Sequence, residues 1–232
     1  LSAAAFVPIA LLPESGAAPS AARAPIARQA LAALWRGGRT PAVWLAGGLE
    51  ANMFVAIYAI KAFVPLLAMS IGAGVALAGA FLAVQEAVHI ALNPVGGRLG
   101  DRLGYLKTAG AGVTVLGVAL VTVTFARTGM GLMAPAILIG LAQALVSPAS
   151  LALASSRVGS DHLGAGMGLV GSMKNAGKVL GPVLAGSLIF WLDFSYAFRL
   201  MGLALLVAAA LLWSADRLHA RRPATGERDV TA

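Results

Sequence analysis

Six apolar stretches, at roughly 41–69, 71–95, 109–127, 130–155, 163–191 and 194–215, follow one another with only short polar connections between them. Each is near the ~20 residues that a helix needs to cross the hydrocarbon layer of a bilayer. Lipid offers no hydrogen bonds, so a spanning segment must satisfy its own backbone, and a helix does so. The chain is therefore expected to be all-α, a polytopic membrane protein with a six-transmembrane-helix bundle. Of its 232 residues, 59% are hydrophobic and 11% charged, whereas soluble domains are nearer half apolar and a quarter charged. That balance excludes a water-soluble globule. Abundant alanine and 28 glycines against 6% aromatic residues suit helices that pack backbone to backbone in lipid.

The net charge of +8 is explained by where the basic residues fall. Those outside the spans sit before the first (Arg23, Arg28, Arg36, Arg39), after the second (Arg98, Arg102, Lys107), after the fourth (Arg157) and after the sixth (Arg217, Arg221, Arg222), while Arg127 is the exception on the other side. The positive-inside rule then places both termini in the cytoplasm; the plasma membrane is the expected location, and nucleic acid is not an expected partner. With no cysteine, disulfides, thiolate metal sites and cysteine nucleophiles are all excluded.

Residues 1–12 are apolar but too short to span, and are read as the end of a preceding transmembrane helix. A signal peptide is the rival reading, although the basic start that such a peptide carries is missing. Residues 13–40 hold three prolines and four arginines, and Ile26, Ala30, Leu31, Leu34 and Trp35 form one helical stripe, so an amphipathic helix in a cytoplasmic linker is expected. Residues 216–232 read as a cytoplasmic tail.

Two motifs carry an identification. The connection after the second span contains Gly97-x-Leu99-Gly100-Asp101-Arg102-x-Gly104. Gly97 and Gly104 are expected to allow a tight reversal at the membrane surface, with Asp101 facing a helix N-terminus or a neighbouring Arg. This loop resembles the signature between the second and third helices of each six-helix half of a major facilitator superfamily transporter. The resemblance implies that Asp101, with Arg102 beside it, latches one conformational state. The basic pair that usually follows the last glycine is here Tyr105-Leu106, with Lys107 one place later. The fifth span carries Gly168, Gly177, Gly181, Pro182 and Gly186, which is similar to the antiporter signature of the superfamily's drug exporters. Glycines at this spacing let a neighbouring helix approach closely, and the proline frees a carbonyl and bends the helix.

The resemblance implies half of a twelve-helix fold. The fourth span lacks the Arg usual in the N-terminal half of proton-coupled members, and a basic, Pro-rich segment precedes the first span. A C-terminal half is expected, with an N-terminal half as the alternative.

Ionisable groups inside a span are costly and mark functional sites. Glu50 and Lys61 in the first span return to nearly the same helix face about 16 Å apart. In the second span Gln85, Glu86, His89 and Asn93 cluster, and in the fifth Lys174, Asn175 and Lys178 do so. Measured from the expected helix ends, Glu50, Glu86 and Lys174 lie about 13–17 Å deep and could meet. In the superfamily, helices one, two, four and five of a half contribute to the central cavity, so these residues are the expected substrate and proton pathway. A carboxyl in low dielectric can load and unload protons near neutral pH. The competing readings are a structural Glu86–His89 pair, and Lys61 and Arg199 snorkelling to the outer surface. Gln143, Ser147 and Pro148 either line the same cavity or bend and cap the fourth span.

The expected function is secondary transport of a small solute by alternating access, plausibly proton-coupled efflux, with no cofactor, no metal and no catalytic residue. The alternative is a non-transporting half that needs a missing N-terminal half or a second copy. An intramembrane enzyme is disfavoured because neither HExxH nor GxSxG occurs.

Overall fold

The computed structural model describes residues 40–72, 74–158 and 163–220, all of them helices and their connections. The expected helix end at 1–12, the amphipathic segment before residue 40 and the tail beyond residue 220 lie outside the described residues. Six helices are long and apolar enough to cross a membrane. They are α1 (Pro41–Ser70), α2 (Gly74–Leu103), α3 (Tyr105–Val123), α4 (Met133–Ser155, entered through a 3-10 turn at Met130–Leu132), α5 (Leu163–Leu192) and α6 (Phe194–Ala220).

Two helix ends differ from the sequence expectation in a way that matters. The second helix does not stop near residue 95 but runs on through the Gly-rich motif to Leu103, so Gly97 is helical rather than part of a turn. The reversal is made at Gly104 alone, whose φ of +97° only glycine adopts without strain. A surface run rich in glycine and charge looks like a loop, yet α2 keeps its backbone bonds here because Gly96 and Gly100 are buried against neighbouring helices. The sixth helix likewise passes the expected end at 215 and reaches Ala220.

Packing pairs the helices. α1 lies along α5, α2 along α4, and α3 against both α4 and α6, with α4 also touching α1. Where α1 meets α5, a Cβ at Gly177 would strike the carbonyl of Ala51, and one at Gly181 would reach that of Val55. These two glycines of the antiporter-like motif set the closeness of the α1–α5 contact. Gly186 is in ordinary contact distance of Phe63, whereas Gly168 is exposed and a Cβ there would meet nothing. A related device operates between α2 and α4. Pro148 lacks the N–H that would bond the carbonyl of Ala144, and that carbonyl faces Gly96 of α2.

The core is a continuous apolar cluster running from Leu49, Met53 and Ile57 of α1 through Phe81, Leu116 and Leu120 to Ile139 and Phe198. α2 and α5 bury the smallest share of their spans and expose Ile90, Val95, Val179, Val183, Phe190 and Trp191. Such faces are stable in contact with lipid or another apolar helix, not water.

Candidate functional site

One stripe of α1 organises the polar residues. Glu50, Phe54, Tyr58 and Lys61 follow at steps of four, four and three residues and so share a face. Around it stand Glu86 and His89 of α2, Ser150 of α4, and Lys174 and Lys178 of α5.

At one end of the stripe, Glu50 is fully buried. Its Oε1 lies 2.6 Å from Ser150 Oγ, and its Oε2 lies 4.0 Å from Lys174 Nζ. Ser150 Oγ is also 3.0 Å from the carbonyl of Ser147. One hydroxyl proton cannot serve both acceptors well. Either Ser150 donates to the Glu50 carboxylate, or a protonated Glu50 donates to Ser150, which then donates to Ser147. The same heavy-atom positions therefore accommodate both protonation states of the glutamate.

At the other end, Lys61 Nζ pairs with Glu86 Oε1 at 2.8 Å, and His89 Nδ1 lies 3.4 Å from Glu86 Oε2. Lys61 is thus turned to α2. Arg199, by contrast, donates to Thr124 Oγ1 at 3.1 Å and lies over the Phe125 ring, at the end of the bundle where α3 finishes.

Between the two ends run the aromatic rings. Phe54 and Tyr58 have centroids 6.0 Å apart. Lys174 lies over Phe54 at 4.5 Å, Lys178 over Phe54 at 5.3 Å and over Tyr58 at 5.7 Å, and Lys61 over Tyr58 at 5.5 Å. Each ring face is electron-rich and attracts an ammonium group, more so out of water. Charged groups from three helices thereby form one connected seam.

Of the residues expected to act together, Glu50 and Lys174 do meet. Glu86 pairs with Lys61 instead, and the reason is the misjudged end of α2. Moving that end from 95 to 103 shifts Glu86 about 12 Å deeper, to the level of Lys61. Gln85 is turned away from the seam: it is fully buried and donates from Nε2 to Gln143 Oε1 at 3.4 Å, bridging α2 and α4. Asn93 and Asn175 are exposed. Among the described residues Asp101 pairs with no arginine; its Oδ1 accepts a 3.0 Å hydrogen bond from the Tyr105 hydroxyl across the Gly104 turn. A cleft of about 340 Å³ lined by Trp44, Gly48, Asn52 and Leu212 opens between α1, α3 and α6 and holds none of the charged residues. Among the described residues no group of three His, Asp or Glu side chains could hold a metal.

Sequence reasoning missed Ser150, Phe54 and Tyr58. The signals were present: Ser150 lies seven residues from Gln143 on α4, and the two rings fill the steps between Glu50 and Lys61.

Comparison with known proteins places the chain in a family. The chain is 29% identical over 94 residues to the methyl viologen resistance protein SmvA of Salmonella typhimurium, covering 40% of this chain and 19% of that protein. It is 28% identical over 135 residues to the multidrug resistance protein MdtH of Aeromonas salmonicida (58% of this chain, 34% of that protein), and 27% identical over 141 residues to MdtH of Aeromonas hydrophila subsp. hydrophila (61% and 35%). The matches thus span about a fifth to a third of the length of these relatives. The family model of the Major Facilitator Superfamily matches residues 44–232, which takes in all six helices, and the chain belongs to that superfamily.

Proposed function

We propose that this chain is the C-terminal six-helix half of a secondary active transporter that exports a small solute by alternating access, coupled to protons. The observation that carries the reading is the seam itself: two carboxylates, three ammonium groups and a histidine held within the membrane-spanning part of a superfamily bundle. Charges in spans face a bundle interior or a water-filled path, because lipid exposure costs several kcal/mol each. The resistance proteins among the relatives support export over import.

In this reading Glu86 and Glu50 take up and release protons. Protonating Glu86 neutralises the partner of Lys61, and protonating Glu50 does the same for Lys174, so proton arrival changes what holds α1 to α2 and to α5. Rocking against the other half of the transporter then exposes the seam to either side, and the Asp101 turn biases one state. The membrane is the plasma membrane, with the Gly104 and Arg157 connections cytoplasmic. The exposed apolar faces of α2 and α5 favour a partner bundle, which is the other half or, in the second reading, a second copy.

The test uses the full-length chain in cells stripped of their own exporters. Expression should raise tolerance to toxic compounds, and Glu86→Gln should abolish that tolerance while membrane insertion stays intact. Unchanged solute movement across a pH gradient in the variant would sink the coupling role.

A further inference from the structure

We infer that the seam holds an anion-binding site anchored on Lys178, and that its ligand is an organic monoanion, a carboxylate or sulfonate on an apolar body.

The argument begins with charge. Glu86 is matched by Lys61, and Glu50 by Lys174 and the Ser150 hydroxyl. That leaves Lys178. Among the described residues it has no carboxylate within 4.0 Å, and the contacts it makes are with the ring faces of Phe54 and Tyr58. His89 beside Glu86 is an imidazole, neutral or positive, and so supplies no negative charge, and Asn175 beside Lys174 is neutral. Three ammonium groups thus face two carboxylates across shared rings. Ring faces moderate the cost of an ammonium group out of water but do not neutralise it. A ligand that brings one negative charge balances the seam, whereas a cation would have to displace Lys61 or Lys174 from its carboxylate.

Depth decides which anion. Lys178 lies at the middle of the 30-residue helix α5, about 22 Å from either end. Phospholipid headgroups sit at the two surfaces of a bilayer, so a headgroup cannot reach it. A solute entering from water can. The apolar body is assigned by the rings: Phe54 is buried, but Tyr58, whose ring lies 5.7 Å from the ammonium group, is only half-buried.

This inference deepens the transport reading and rests on it for the ligand being cargo. Binding is therefore measured at equilibrium, without a gradient, on the purified full-length chain in detergent. The probes are radiolabelled benzoate, naphthalene-2-sulfonate and decanoate, with tetraphenylphosphonium as the apolar cation. At least one anion should bind saturably. Lys178→Gln should weaken it about tenfold or more, the loss of a charge-assisted contact. Lys178→Arg should retain it, and Tyr58→Ala should weaken it by less. The inference is overturned if none of the anions binds saturably, whether or not Lys178→Gln lowers thermal stability; a loss of stability would point to a carboxylate elsewhere in the full-length chain as the partner of Lys178. It is overturned equally if Lys178→Gln binds the anions as tightly as the native protein, or if tetraphenylphosphonium binds more tightly than they do. Adding anionic phospholipid separates the sources: competition with benzoate would assign the site to a lipid headgroup and refute the solute. Intact anion binding in a protein that confers no tolerance would leave this site standing and remove the transport reading.

Discussion

Ser150 on α4 lies 2.6 Å from the carboxylate of Glu50 on α1, inside the bundle, where neither group reaches solvent. Glu50 Oε2 has no hydrogen bond. Ser150 is thus the group that satisfies the buried carboxyl, and its loss should be felt at once. Ser150→Ala is expected to cost about 1–3 kcal/mol, the penalty for a buried polar atom left without a partner. Thermal unfolding in detergent checks this. Equal stability of variant and native protein would mean that water replaces the serine.

Because Ser150 can donate its hydrogen bond to the Ser147 carbonyl, a donor in place of Glu50 should fit the same geometry. Glu50→Gln is predicted to keep near-native stability, with its amide donating to Ser150 Oγ. Glu50→Leu should be less stable than Glu50→Gln, since it leaves Lys174 without a polar partner on α1 and Ser150 with the Ser147 carbonyl alone. The comparison of the two melting curves is the measurement, and a leucine variant as stable as the glutamine one would refute the argument.

The glycines of α5 should separate into two kinds. A methyl group at Gly177 would meet the backbone of Ala51, which cannot move aside as a flexible side chain would, so Gly177→Ala should push α1 from α5 and destabilise by about 1–3 kcal/mol. Gly168 faces open space, so Gly168→Ala should be neutral or slightly stabilising, by up to about 1 kcal/mol, because alanine restricts the unfolded chain. Denaturation of both variants side by side tests the pair. Equal effects would show that the spacing of the motif, and not the α1 contact, sets its importance.

How much of this was legible in the sequence depends on which physical signal each feature leaves. The number of helices and their type followed from the length of the apolar runs, because a bilayer imposes a minimum length and forbids open backbone. That Glu50 and Lys174 could meet is legible from depth, which places both, with Glu86, at one level; that these two alone pair is not. Glu86 went to the wrong neighbour because depth is counted from a helix end, and glycine and charge hid the end of α2. The contact between Gly96 and the Ala144 carbonyl left no signal at all: it depends on a proline four residues along a helix remote in sequence. Neither did the turning of Gln85 towards Gln143, which differs from Glu86 by a single step of 100° around α2.

The final prediction concerns the turn between α2 and α3. Gly104 has φ +97° and ψ 142°, a region closed to residues with a Cβ, and Asp101 and Tyr105 are joined across it. Gly104→Ala should therefore be strained, at about 1–3 kcal/mol, even though no atom crowds the site. Tyr105→Phe should cost well under 1 kcal/mol, since the hydroxyl contact it removes is exposed. If the Asp101 turn biases one state of the transporter, Tyr105→Phe and Asp101→Ala should both slow switching while leaving ligand affinity unchanged, because neither touches the seam around Lys178. Ligand-binding titrations beside transport rates for the full-length chain distinguish the outcomes. A selective loss of affinity in Asp101→Ala would mean that the turn shapes the binding site, and a rate unchanged in both variants would leave Gly104 as a purely structural reversal.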